Sequence, residues 1–255
     1  MTPDKAPTEG AAVKTPTLRD RFWHASGGVL WHWRAWHHGH RWQVFRADIA
    51  GLLHAWNPAE RGVLLIGPSA GWTLPEDFFR RFDTVTAVEP DPLARLLFTQ
   101  RFKGISPHWL EIDAFADGGL VALLERCPGH AVLFCNVVGQ VMPDDADDAL
   151  RRCEALREAL RDRTWASYHD LVSLDTRTDP GPGPDREDGL RWHLADSTLE
   201  EILASHGRRG RVELLDHHTE TLGRGLTSCT MPWPLHPGRL HLVQWVAVRA
   251  DGPPQ

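Results

Sequence analysis

Cysteine is scarce: four of the 255 residues, Cys127, Cys135, Cys153 and Cys229, with no C-x-x-C spacing among them. That excludes a zinc knuckle or a disulfide framework and fits the reduced thiols of a cytosolic protein. Long apolar runs are missing too. None approaches the roughly 18 residues of a spanning helix, so no membrane partner is expected. Residues 1–17, rich in Pro, Thr, Ala and charge, lack the apolar h-region of a secretory signal and read as a disordered tail, which makes the cytoplasm the expected location. Positive charge is in deficit: 28 Lys and Arg against 34 Asp and Glu leave a formal charge of −6, so a nucleic-acid partner is not expected. What remains is a globular composition, 42% apolar and 24% charged, that supports a sizeable core.

Two regions differ in pattern. The segment 18–58 concentrates Trp31, Trp33, Trp36, Trp42 and Trp56 with His24, His32, His37, His38, His40 and His54. From Trp42 on, Phe45, Ile49, Leu52, Leu53 and Trp56 recur at helical spacing, and Asn57-Pro58 stops the helix. This segment is expected to form an N-terminal helical layer. From Gly62 strands and helices alternate. Strands are expected over 63–66, 82–88, 108–112, 131–135 and 165–174, and helices over 92–102, 120–126, 144–163 and 197–205. The last helix would open with a capping box of Ser197 and Glu200. Two further β runs, 211–219 and 240–249, close the chain, with the turn-rich 223–238 expected as a long loop between them. Residues 175–189, with Pro and Gly at their centre, read as an exposed loop. Repeated β–α units predict an α/β domain over 59–250, a mostly parallel sheet with helices on both faces, whose ligands bind at the carboxyl ends of the strands.

The run from Val63 to Ile66 leads into Gly67-Pro68-Ser69-Ala70-Gly71 before an expected helix start. Glycine permits a tight turn and lets backbone N–H groups approach a ligand. A second apolar strand ends in Glu89-Pro90, 22 positions after Gly67. That is close to the ~20 residues at which a carboxylate meets ribose hydroxyls in dinucleotide sites. The same residues also read as an ordinary glycine-capped β–α turn with an exposed acid.

The ordered set Leu65-Ile-Gly67-Pro-Ser-Ala-Gly71, Val88-Glu89, Ile112-Asp113-Ala114 and Phe134-Cys-Asn136 resembles the class I S-adenosylmethionine-dependent methyltransferases. The resemblance covers roughly residues 62–249. It implies a Rossmann-like seven-stranded sheet with an antiparallel last strand, and S-adenosylmethionine as cofactor. Gly67 to Gly71 would wrap the methionine part, Glu89 would hold the ribose, and Asp113 and Ala114 would lie beside the adenine. Pro68, Ser69, Pro90 and Asn136 complete the expected cofactor contacts. The chain departs from the family at Leu65, where an acid is usual, and at Ser69, where a glycine is. Cys135-Asn136-Val137-Val138 replaces the Asn/Asp-Pro-Pro-aromatic motif of amino-group methylating enzymes.

Methyl transfer needs a positioned nucleophile and often a base. The ends of the fourth and fifth strands offer Asn136 and Gln140, then Tyr168, His169 and Asp170. His169 is the expected catalytic base, because imidazole titrates near neutrality, and Asn136 is the other expected catalytic residue. His169 and Asp170 also read as plain polar strand-end groups. The tryptophan- and histidine-rich segment lacks interleaved ligands at metal spacing, so no metal is expected; it serves as a substrate wall or packs through tryptophan. A methyltransferase of small molecules is the leading function. A non-catalytic binding or regulatory protein of the same fold, and an RNA or protein methyltransferase docking through Arg34, Arg41 and Arg46, are the alternatives.

Overall fold

Strand β1 (Gly62–Ile66) carries no polar side chain, and all five of its residues are buried. A strand covered on both faces needs this composition, and β1 lies inside the sheet. The computed structural model describes residues 28–177, 189–208 and 214–250. The expected tail, residues 18–27, most of the 175–189 loop and the start of the 211–219 run lie outside the described residues.

The chain begins with α1 (Gly28–His38), a single 3₁₀ turn (Gly39–Trp42) and α2 (Gln43–Trp56). Asn57 adopts a left-handed conformation, φ 36°, and ends α2 as expected. After β1 come α3 (Glu76–Phe79), β2 (Thr84–Val88), α4 (Pro92–Arg101), β3 (His108–Trp109), α5 (Gly119–Arg126), β4 (His130–Cys135) and α6 (Val138–Val141). Then follow α7 (Ala146–Ala159), β5 (Trp165–Asp175), β6 (Arg191–His193), α8 (Leu199–Ser205), β7 (Leu214–Asp216), β8 (Ser228–His236) and β9 (Arg239–Val248).

The strand order is β3-β2-β1-β4-β5-β9-β8-β6, with β7 paired to β5 off that path. The first five strands run parallel, while β9 is antiparallel to both β5 and β8. The fold is therefore Rossmann-like, a mostly parallel sheet closed by an antiparallel pair. Strand alternation sends Val63, Leu65, Leu133 and Tyr168 to one face, where they meet Phe45, Ile49, Leu53 and Trp56 of α2 and Phe78 of α3. Leu64, Ile66, Val132 and Phe134 go to the other, against Leu120 and Leu123 of α5 and Cys153 and Leu156 of α7. The N-terminal helices thus supply one of the two layers that cover the sheet.

Three expectations need correction. The helix expected over 144–163 starts at Ala146, where the Asp145 side chain accepts from the Asp148 N–H, and ends at Ala159. The capping box of α8 lies one residue later than read: Thr198 Oγ1 accepts from Glu201 N, and Glu201 Oε2 accepts from Thr198 N. Most of the expected 223–238 loop is strand β8. Its Pro232 and Pro234 hid it, because proline cannot donate to a ladder. They are tolerated because β6 pairs only with Ser228 to Thr230, which among the described residues leaves the β8 edge open at both prolines.

Candidate functional site

The turn after β1 sits where the strand order reverses, with β2 on one side of β1 and β4 on the other, the place where open α/β sheets bind ligands. Gly67 and Gly71 both have φ of +65°, and between them Ser69 has φ of +51°. A Cβ on Gly67 would lie 2.8 Å from the Val137 side chain, and one on Gly71 would lie 2.3 Å from Phe102. Glycine is required at both places by conformation and by close packing. Ser69 pays the left-handed strain that glycine avoids.

Glu89, at the end of β2, is locked to this turn. Its Oε2 accepts from the Ser69 N–H at 2.8 Å and its Oε1 from the Asp91 N–H at 3.0 Å. Burial pushes its carboxyl up to about 7, although both backbone donors favour the charged form. Each oxygen keeps a second lone pair. Asp113 accepts from the Phe115 N–H through Oδ1, and it lines a small pocket of about 10 Å³ together with Glu89, Pro90 and Arg95. The two acids expected to flank a nucleoside are therefore brought together. Ala114 is buried beside Asp113 in the apolar layer under α5.

Helix α1 lies across the same strand ends. The Gly28 N–H donates to Asp91 Oδ2 at 2.8 Å, and Trp31 Nε1 donates to Ser69 Oγ at 3.1 Å. His32 Nε2 stands 3.1 Å from Asp91 Oδ2, while His32 Nδ1 accepts from Trp72 Nε1. An Nδ1 that accepts leaves the proton on Nε2, so His32 is a neutral donor to Asp91. Burial, outweighing Asp91, lowers its pKa accordingly. No sequence pattern announced this bridge, because its partners are about sixty residues apart.

At the end of β4, Asn136 is left-handed with φ of 53°. Its Nδ2 donates to Asp170 Oδ2 at 3.3 Å, its backbone carbonyl accepts from Gln140 Nε2, and its Oδ1 is buried without a partner among the described residues. His169 is not where a base is needed. Strand parity turns it to the far face of the sheet, fully buried, where Nδ1 meets Ser167 Oγ at 2.9 Å and Nε2 meets Gln244 Oε1 at 3.2 Å. Burial drives its pKa down to about 4, so it is a neutral core histidine.

The residue that faces the cleft is Asp170. The β5–β9 register shifts between Asp170 and Val172, so that Asp170 and Ser173 both point to the side occupied by His241 of β9. Asp170 Oδ1 lies 2.9 Å from His241 Nδ1, in close contact though out of good hydrogen-bond alignment. Burial opposes the Asp170 charge, but His241, His217 and Asn136 together hold its pKa below the usual carboxylate value. These groups line a cleft of about 340 Å³ with Trp31, Arg34, Gln140 and Trp233. Only Asn136 and Gln140, which remain at this end of the sheet, and Asp170 were legible as neighbours in the sequence.

No protein-family model matches the chain, and no curated protein matches it. Among solved structures it is similar to CalS10, a SAM-bound amino pentose methyltransferase from Micromonospora echinaspora, at 16% identity and a TM-score of 0.34, over 90% of this chain and 80% of that one. It is also similar to DhpI in complex with SAH, at 15% identity and a TM-score of 0.39, over 89% and 94% of the two chains. A third is the N-methyltransferase NodS from Bradyrhizobium japonicum WM9 in complex with S-adenosyl-L-homocysteine, at 14% identity and a TM-score of 0.39, over 89% and 95%. At these scores the likenesses decide nothing about the chemistry of this chain, which rests on its own residues.

Proposed function

We propose that this chain is an S-adenosylmethionine-dependent methyltransferase of a small-molecule acceptor. The observation that carries the reading is the unit made by the Gly67–Gly71 turn and Glu89, joined through the Ser69 N–H at the point where the strand order reverses. The remaining lone pairs of Glu89 suit two ribose hydroxyls, Asp113 suits an adenine edge, and the orphaned Asn136 Oδ1 suits a donor on the amino-acid part. Such a cofactor supplies an electrophilic methyl group on a sulfonium sulfur. The chain would bind it, orient it toward the cleft beyond Asn136 and exclude water with α1.

The tight fit supports a second reading, a non-catalytic binding protein. Val137 and Phe102 fill the space beside the two glycines, and the walls around Glu89 and Asp113 must part to admit a nucleoside. Calorimetric titration with S-adenosylhomocysteine separates the two. The methyltransferase reading expects a micromolar Kd that Glu89→Ala and Asp113→Ala each weaken by about tenfold or more, equivalent to about 1.4 kcal/mol. A folded protein that gives no heat with either S-adenosylhomocysteine or S-adenosylmethionine leaves the binding module.

A further inference from the structure

We infer that His241 is a general base, positioned by Asp170, for an acceptor that is a flat aromatic alcohol bound against the corner made by Trp31 and Trp233. The methyl-transfer part of this inference rests on the reading above; the proton-transfer part does not.

The geometry begins with a carboxylate that is costly to bury. Asp170 is 3% exposed, and a lone ion in such a place is strongly disfavoured. Asn136 Nδ2 donates to one oxygen, and His241 Nδ1 lies 2.9 Å from the other, in electrostatic contact. A carboxylate against Nδ1 favours the tautomer protonated there, which leaves the Nε2 lone pair available. No group among the described residues engages Nε2, and the side chain retains 14% exposure toward the cleft. An imidazole oriented by a buried acid, with its far nitrogen open, is the arrangement of a proton acceptor. His169 has both nitrogens occupied and cannot serve.

The walls specify the acceptor. Trp233 packs on the His241 ring at 5.9 Å between centroids and meets Trp31 edge-on at 6.2 Å, so the base sits beside an aromatic corner. Aromatic walls favour a flat aromatic guest by stacked or edge-to-face contact. The charges then choose between a hydroxyl and an ammonium. Three acids line the cleft: Asp170, engaged as above, Asp216, whose Oδ1 accepts from the His218 N–H, and the exposed Asp144. Arg34 and Arg239 also line the cleft, as do His217 and His236. The two guanidinium groups suit an oxyanion that develops as the hydroxyl loses its proton, whereas His217 has Nδ1 engaged by the Gly139 carbonyl and Nε2 by Ser173 Oγ.

The site also adjoins the cofactor turn. Trp31 donates to Ser69 Oγ, and Asn136 follows β4 beside Val137, which packs on Gly67. The step balances as follows. The acceptor O–H bond breaks with its proton passing to His241 Nε2, and the oxygen pair forms the new O–CH₃ bond. The methyl group would come from the sulfonium of the bound cofactor, whose S–CH₃ electron pair would stay on sulfur as the thioether.

4-Nitrophenol tests the proton transfer without any cofactor, because its phenolate absorbs in the visible. At a pH where the free probe is mostly protonated, the wild-type protein is expected to generate the phenolate band saturably. His241→Gln should lower the phenolate fraction of bound probe by about tenfold or more, with affinity changed less than about threefold; Asp170→Asn should lower the fraction similarly. A residue that only supports structure would change affinity or melting temperature without that split. If either variant fails to fold, carbethoxylation of the wild-type protein followed by mass spectrometry gives the same answer: bound probe should protect His241 from modification. An absent phenolate band, a band that survives in folded His241→Gln, or an unprotected His241 overturns the base. A band that depends on His241 in a protein that does not bind S-adenosylhomocysteine supports the base and overturns the methyl step. Tight S-adenosylhomocysteine binding with no phenolate band keeps the methyltransferase and removes His241 from it.

Discussion

Two adjacent residues of β5 have opposite fates. His169 and Asp170 differ by one position, and strand alternation sends one into a polar pocket of the core and the other into the cleft. Of the two, the histidine is the one expected as the base from the sequence. The choice could not be made from the chain alone, because the decisive partner of each comes from β9: Gln244 for His169, His241 for Asp170. His169 titrates near 4 in the folded protein against 6.5 in a free side chain, so the unfolded chain binds the extra proton in that window. Its contribution is therefore present above pH 6.5 and is lost as the pH falls toward 4, to the extent of about 3 kcal/mol. Glu89 acts with the opposite sign. Its carboxyl, raised to about 7, favours the fold at low pH and loses that contribution as the pH rises through 7. The cleanest test is a difference: the unfolding free energy of wild type minus that of His169→Gln, measured from pH 7 down to pH 4. It is expected to shrink by about 3 kcal/mol; a difference independent of pH would mean that His169 is not a neutral buried group.

At the scale of elements, the strands with unbroken apolar runs were legible because parallel central strands need that composition. β1, β2 and β4 fall within two residues of their expected limits. Strand β8 was not legible, since two prolines spoke for a loop and only the open edge beside them permits a strand. Strand β6, three residues long, carries too little periodicity to be read. The misplaced cap of α8 has a similar cause: Ser197 and Thr198 are each followed three residues later by a glutamate, so both offer a capping box. Only geometry separates them. Thr198→Ala is expected to destabilise the protein by about 1 kcal/mol, and Ser197→Ala by much less, in urea denaturation. The reverse order would show that the helix starts one residue earlier.

Across the whole molecule, the N-terminal layer behaves as part of the core. Trp42 is fully buried, donates to the Leu235 carbonyl of β8 and contacts Trp31 and Trp233, while Phe45 stacks on Trp233 at 4.8 Å. At the other end of α2, Arg249 donates to the Trp56 carbonyl and ties the end of β9 to the helix. The helical periodicity of residues 45–56 made this layer readable, but not its place over the Gly67–Gly71 turn, which depends on the bonds of α1 to Asp91 and Ser69. Removing one face of the sheet's cover exposes its apolar residues, so residues 59–250 alone are expected to give no cooperative thermal transition. Trp42→Ala in the full chain should cost about 3–5 kcal/mol, and a loss below about 1 kcal/mol would mean that the layer docks weakly.

The central claim, that the ends of β1, β2 and β4 form a nucleoside–sulfonium site opening onto the His241 cleft, is tested most directly by a crystal structure of the protein with S-adenosylhomocysteine. The account predicts ribose hydroxyls on Glu89, the adenine beside Asp113, and the sulfur turned past Asn136 toward His241. Density for the ligand elsewhere, or none at saturating concentration with Glu89 still held only by Ser69 and Asp91, would contradict it.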